Sequence, residues 1–463
     1  MSFSFESFKR YFSKPTDLGE GSVGTTLLQM SIPAISMMLM NTLFFMVDTI
    51  FISWLGEKPT AAVSMTFPIN IALFAFLEGA GGGTTALVGQ NLGRGALEIA
   101  KKVAFSGLAL GYVLSFLTLP MALPGVSASI FAQLGAGENK EILDMSYAYN
   151  FWLPLTAPLI AYTFISNSIF RCQGDTVTPM ISMAIANLIN GFLDPLFIFV
   201  FGWGVGGAAA ATFVGRAFSV FYVHHKMKRN PGVSLPFLLP PRPTFMSYWR
   251  PIATIGLPVT LAVGSIALGF GGVNRVLSSF GMHAIAAWIL GIRIEDFYFT
   301  IAMGVGSALT PFLAFNYGRR DLRRMVDGVK AASWIAGSLM TLVGAVIFVS
   351  PQAFLGLFHP SERVMDLAAR SIRVSMLAYP IVVMQFTLGS FFIATGYSIF
   401  ATATQLTRSV LARIPLAYFF AWWLGEGGIW WFQPISFLVG GLVTWLGYVY
   451  ALSKIKKDFA QSR

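Results

Sequence analysis

A single cysteine, Cys172, stands among the 463 residues, so no intrachain disulfide can form and no cysteine-based metal cluster is available. Histidine is almost as scarce. Its four copies are scattered without ligand spacing, which leaves metal catalysis unsupported. Charge is the larger deficit: Asp, Glu, Lys and Arg make up 11% of the chain, against about 25% in an ordinary soluble domain. A soluble globule so poor in charge could not cover its surface. Also missing are a nucleophile motif, a phosphate-binding glycine loop and, in the first 24 residues, the continuous apolar core of a signal peptide. A membrane-embedded enzyme such as a lipid-modifying transferase would need a polar catalytic constellation that is not there. No cofactor is implied.

What the chain has instead is apolar length. Hydrophobic residues are 55% of it, and stretches of the roughly twenty residues needed to cross a bilayer recur almost throughout. Twelve spans are expected, at 25–52, 60–89, 103–123, 145–170, 177–202, 205–228, 251–277, 284–314, 327–349, 367–394, 399–424 and 431–452. The formal charge of +11 falls in the gaps between them, which is how topology is encoded, and points away from nucleic acid. Arg94, Lys101 and Lys102, the stretches Lys226 to Arg250 and Arg319 to Lys330, and Lys454, Lys456 and Lys457 all lie on one side. The opposite side holds Glu138, Glu141 and Asp144. Positive-inside bias then places both termini in the cytoplasm of a plasma or inner membrane. Phe5, Phe8 and Phe12 share one helical face beside Lys9, Arg10 and Lys14, as in a short interfacial helix; a disordered tail fits equally.

One long basic connector, with Pro231, Pro236, Pro240, Pro241 and Pro243, divides the chain near its middle. The halves on either side are similar. A shift of 225 positions superposes Pro33 on Pro258, Gly56 on Gly281, Gly79 on Gly304, Gly81 on Gly306, Thr85 on Thr310, and Asn91 with Gly93-Arg94 on Asn316 with Gly318-Arg319, without a gap; a shift of 222 places Pro158 on Pro380 and Gly174 on Gly396. The expected fold is therefore all-α: twelve transmembrane helices in two pseudo-symmetric six-helix lobes. Its parts are a cytoplasmic N-terminal segment (1–24), an N-lobe (25–228), an inter-lobe linker (229–250), a C-lobe (251–452) and a basic tail (453–463). Repeated six-helix halves are a transporter architecture.

Charges inside spans are costly and usually face a cavity. The candidates are Asp48, Glu78, Asp194, Arg216, Arg275, Arg293, Glu295, Asp296, Arg408 and Arg413, with Arg275 and Arg408 close enough to an interface to snorkel. Asn41 and Phe44 precede Asp48 by seven and four residues, so the three share a face; Asn190 precedes Asp194 by four and shares another. If those faces meet, two carboxylates in a dry place cannot both ionise cheaply, and one could hold a proton near neutral pH. A purely structural polar network is the alternative. Pro33 removes a backbone hydrogen bond about four turns before Asp48, giving a hinge or a fixed kink. Arg293 and Asp296, spaced i,i+3 beside Glu295, suit an ion pair that neutralises itself. Glu78 precedes the small-residue run from Gly79 to Gly83, with no evident role.

The segments MVDTIFISWLG (46–56), QNLGRG (90–95), FRCQGDTVTPM (170–180) and NLINGFLDPLFIFVFGWGVGGAAAAT (187–212) resemble the multidrug and toxic compound extrusion (MATE) family, and with the duplicated halves the likeness covers nearly the whole chain. That resemblance implies an antiporter, not an enzyme, which expels organic cations and other amphiphiles in exchange for protons or sodium ions by alternating access. Its DinF-like branch implies ion coupling at Asp48, Asn190, Asp194 and Thr212, with a sodium ion as the only metal in question. It implies a substrate pocket at Asn41, Phe44, Asn167 and Met183, although Phe44 stands where a tyrosine is often found. The NorM-like C-lobe site, with carboxylates on helices seven, eight and ten, is poorly matched, because helix seven has none and helix ten only Asp366 at its edge. Glu78, Arg293, Glu295 and Asp296 remain secondary candidates. The rival within the same superfamily is a lipid-linked oligosaccharide or lipid II flippase, which Arg216, Arg293 and Arg413 would suit. A monomer is the expected state.

Overall fold

Hydrocarbon offers no partner to a backbone N–H or C=O, so apolar runs of this length are forced into helices. The computed structural model describes residues 15–137, 139–230, 232–237 and 243–461, and those residues contain no strand. The proposed interfacial helix around Phe5, Phe8 and Phe12, with Glu138, Pro231, Pro240 and Pro241, lies outside them.

The membrane helices of the first half are α1 (Val23–Ser53), α2 (Glu57–Gly93), α3 (Leu97–Ala122), α4 (Lys140–Cys172), α5 (Val177–Val200) and α6 (Gly204–Lys228). The second half holds α7 (Trp249–Leu277), α8 (Met282–Gly318), α9 (Leu322–Val349), α10 (Glu362–Thr395), α11 (Ser398–Gly428) and α12 (Phe432–Gln461). Twelve spans were expected; among the described residues ten helical stretches are long and apolar enough to cross, the bent pair in α10 makes eleven, and Ser398–Gln461 is long enough for two, which is consistent with twelve. Two details differ from uniform rods. Helix α10 is bent by 58° between Glu362–Met376 and Tyr379–Thr395, where Pro380 leaves the preceding turn without its N–H donor. Helix α12 continues through Lys454, Lys456 and Lys457 to Gln461, so most of the expected basic tail is helical.

The chain forms two compact units, and their boundary does not fall in the Pro-rich linker. It cuts two helices. The first unit holds residues 36–257 with the segment before Gly19, and the second holds 19–35 with 258–463. Each cut lies beside a proline of the repeat, Pro33 in α1 and Pro258 in α7. In the first unit, α2 and α7 meet without side chains: a Cβ on Gly256 would lie 2.5 Å from the carbonyl oxygen of Gly79. In the second, a Cβ on Gly304, the repeat partner of Gly79, would lie 2.6 Å from Cα of Ile35 on α1. The glycines recur because each seats a helix end lent by the other half of the sequence.

The linker packs onto the first unit. Val233 and Leu235 join the core built from α2, α3, α4 and α6, Tyr112 donates to the carbonyl of Phe237 at 2.7 Å, and Gln173 accepts from the N–H of Val233 at 3.2 Å. Nearby, Gly174 has φ +81° and accepts the N–H of Thr16 on its carbonyl at 3.0 Å; a Cβ there would lie 1.9 Å from Thr16 O, so only glycine fits. In the second unit, Glu426 joins the starts of α8 and α10 by pairing with His283 and, at 2.8 Å, with Arg363.

Candidate ion and substrate site

The first unit gathers its polar side chains where α1, α5 and α6 carry them. Asp48 is 7% exposed and Asp194 is fully buried, and the two carboxylates lie within electrostatic reach of each other. Asn190, one turn before Asp194, donates through Nδ2 to Asp194 Oδ1 at 3.0 Å and to Thr212 Oγ1 at 3.2 Å; the Thr212 hydroxyl in turn donates to the carbonyl of Ala208 at 3.1 Å. One oxygen of each acid, Asp48 Oδ1 and Asp194 Oδ2, is buried with no protein donor. Oxygens left open in a dry place are what a proton or a hard cation takes up.

Local sequence explains the placement. Pro195 deprives the preceding turn of an N–H, and α5 passes through a π turn at Leu196–Val200 immediately after Asp194. Gly215 lets α6 close on α5, since a Cβ there would lie 2.6 Å from the carbonyl oxygen of Ala186. Asn187 ties α5 to α1 through the carbonyl of Met40 at 2.7 Å.

The expected substrate residues are partly assembled. Phe44 and Met183 are joined by Arg216, whose guanidinium stands 5.8 Å from the Phe44 ring centroid and whose Nη1 is 3.8 Å from Met183 Sδ. Asn41 and Asn167 are half-buried, and Asn167 Oδ1 has no partner. Two residues belong here that the sequence did not assign. Tyr149 on α4 lies within electrostatic reach of both acids and packs against Ile52, Ile198 and Ala208. Arg216, one turn beyond Thr212, was visible as a charge in a span, but its contact with Phe44 is a matter of tertiary packing.

The secondary candidates separate. Glu78 lies near Arg171, whose Nη2 donates to Ser168 Oγ at 2.9 Å. Arg293 and Asp296 do not form the expected i,i+3 pair: both side chains are exposed, and neither belongs to an ion pair among the described residues. A helix places such residues side by side, but exposed ends gain little by joining. Glu295 is 3% exposed, and Gln433 Nε2 donates to both its oxygens at 2.8 and 2.6 Å.

Twelve helices in two repeated halves, with buried acids inside them and no nucleophile or metal cluster suggested by the sequence, define a polytopic membrane transporter. The MatE family model matches residues 33–196 and again 258–419, starting at the two prolines of the repeat, and the chain belongs to that family. It is 27% identical over 431 residues to an FAD transporter of Shewanella oneidensis, covering 91% of this chain and 93% of that one. It is 28% identical over 416 residues to the multidrug export protein MepA of Staphylococcus aureus, covering 88% and 89%. Among solved structures, an outward-facing multidrug resistance MATE family transporter of the MOP superfamily superposes with a TM-score of 0.88 at 25% identity, covering 96% of this chain and 99% of that one. Members of the family are transporters, and this chain is not an enzyme.

Proposed function

We propose that the protein is a secondary active efflux antiporter of the plasma or inner membrane, acting as a monomer with both termini in the cytoplasm. It exports organic cations or other amphiphiles in exchange for protons or sodium ions by alternating access, and couples through Asp48, Asn190, Asp194 and Thr212 as the DinF-like resemblance implies. The observation that carries this reading is the pair of neighbouring buried carboxylates, each with one unpartnered oxygen, tied to Asn190 and Thr212. Uphill export needs a group whose cation occupancy differs between the two faces of the cycle. Two acids that cannot both ionise cheaply supply it, whether the cation is a proton or sodium. Phe44 and Met183 offer an adaptable apolar surface, with Asn41 and Asn167 to orient a ligand.

A second reading, a flippase for lipids with phosphate head groups, draws support from Arg216, Arg293 and Arg413, none of which has a carboxylate at ion-pair distance among the described residues. Proteoliposomes under separately imposed proton and sodium gradients distinguish the two. The antiporter concentrates a fluorescent amphiphile uphill under one of the gradients. Equal movement with and without a gradient, or lipid translocation alone, would defeat the first reading.

A further inference from the structure

The second unit contains two arginines within its helices, Arg413 buried and Arg408 half-buried, that the coupling site does not use. Arg408 lies within a π turn at Thr407–Leu411 in α11, and Arg413 follows the turn by two residues. Both guanidiniums converge on one ring: each stands 5.5 Å from the centroid of Phe437, and Arg408 is also 5.3 Å from that of Phe386. Phe299 completes an aromatic group, 6.0 Å from Phe386 and 6.3 Å from Phe437.

Among the described residues, neither arginine has a carboxylate within ion-pair distance. Arg408 donates to neutral amides, Gln405 Oε1 at 2.8 Å and Gln385 Oε1 at 3.1 Å. Arg413 is 8% exposed and its Nε has no partner. The nearby acid Glu295 is engaged with Gln433. Two like charges in a low-dielectric interior, with Glu295 in electrostatic reach of Arg413 alone, leave a positive charge over that favours the arrival of something negative.

The repeat makes the contrast sharp. The Ser182–Ser219 hydroxyl pair, at 2.7 Å between α5 and α6, recurs as Thr404–Thr444 at 2.9 Å between α11 and α12. In the same register Ala186, against Gly215, corresponds to Arg408, against Gly440. Asn190, Asp194 and Thr212 correspond to Ala412, Leu416 and Phe437. The acidic site of one half is apolar in the other, and the cations stand where the first half has none.

We infer that Arg408 and Arg413 form an oxyanion-binding subsite in the C-lobe, which takes the phosphate or carboxylate group of a planar aromatic substrate whose ring lies among Phe299, Phe386 and Phe437. The guanidinium fork suits such groups, and the partly exposed Arg408 makes the subsite reachable. The inference rests on the transporter reading for its substrate. Binding needs no ion gradient, so the two fail separately.

FMN and riboflavin differ only by a phosphate and serve as the probes. Quenching of tryptophan fluorescence by each is titrated against the full-length protein in phosphatidylcholine nanodiscs. The expected result is FMN binding at least about tenfold tighter than riboflavin, with the preference falling to about one in Arg408→Gln and in Arg413→Gln while riboflavin affinity is held. Arg413→Lys, which keeps the charge and loses the fork, retains part of the preference. Should Arg413→Gln fail to fold, Arg408→Gln and Arg413→Lys carry the test. No preference in the wild type, no binding of either probe, or a preference that survives in every folded variant overturns the inference. If phosphatidylglycerol added to the nanodiscs abolishes FMN binding but not riboflavin binding, the occupant is a lipid head group and the aromatic-substrate assignment is overturned.

Discussion

One amide nitrogen, that of Asn190, serves both Asp194 and Thr212, so this side chain sets how the acid presents its free oxygen. Asn190→Ala removes a hydrogen bond to a charged group, an interaction of about 1.5–3 kcal/mol. Ion-driven efflux should then need roughly ten- to hundredfold more driving ion at half-maximal rate, read from the ion dependence of transport. Glu295→Gln should be far milder, within about tenfold of wild type, because Gln433 Oε1 is unpaired and its amide can turn over to accept from the new side chain. Loss of all efflux in folded Glu295→Gln would place coupling in the C-lobe. Asp48, Asn190 and Asp194 were legible in the sequence because charge and amide at i,i+4 inside apolar spans have few other reasons to be there. The contact of Arg216 with Phe44 and Met183 was not, because it joins residues far apart in the chain, and neither was the reach of Tyr149 to both acids. Arg293 and Asp296 lie within electrostatic reach of each other without closing to an ion pair, which spacing alone does not decide.

Helices α5 and α6 close on each other over Gly215, and that packing positions Thr212 against Asn190. Gly215→Ala would place a methyl 2.6 Å from a backbone oxygen, so overpacking should cost about 1–3 kcal/mol and lower the thermal midpoint of the purified protein. An unchanged midpoint with unchanged transport would show that the helices have slack. The prolines act on whole helices. Pro33 and Pro258 sit where α1 and α7 pass from one unit to the other, which suits bending, and Pro33→Ala restores a backbone hydrogen bond there. Transport should slow while the thermal midpoint holds or rises; a wild-type rate would make Pro33 a fixed kink. The spans were readable because lipid permits little else, whereas the lending of helix ends depends on which glycine meets which backbone and leaves no trace in hydropathy. The bend in α10 had a local signal in Pro380, but its size is set by packing.

At the scale of the molecule, one fold is used twice with different chemistry in each half: the first unit sets Asp194 against Asn190 and Thr212, and the second sets Arg408 and Arg413 around Phe437. The repeat was legible from its prolines and glycines, and the family model starts each match at those two prolines. The divergence between halves was legible in part, since the shift of 222 already sets Asn190 and Asp194 against Ala412 and Leu416, but the meeting of Arg408 and Arg413 at Phe437 was not. Orientation is open to a simple test. Cys172 is 1% exposed and should give little labelling background, so Ser234→Cys and Gln461→Cys should react only from the cytoplasmic side and Ser361→Cys only from outside. Reaction of the first two from outside would invert the topology. The central claim is that Asp48 and Asp194 form one ion-coupling unit. One charge moving inward across 100 mV supplies about 2.3 kcal/mol, enough for roughly fifty-fold accumulation of a neutral substrate. The most direct measurement reconstitutes Asp48→Asn and Asp194→Asn as monodisperse protein and compares efflux with and without an imposed gradient. The account predicts that uphill transport is lost in both and only downhill leakage remains; uphill transport at wild-type rates by both would contradict it.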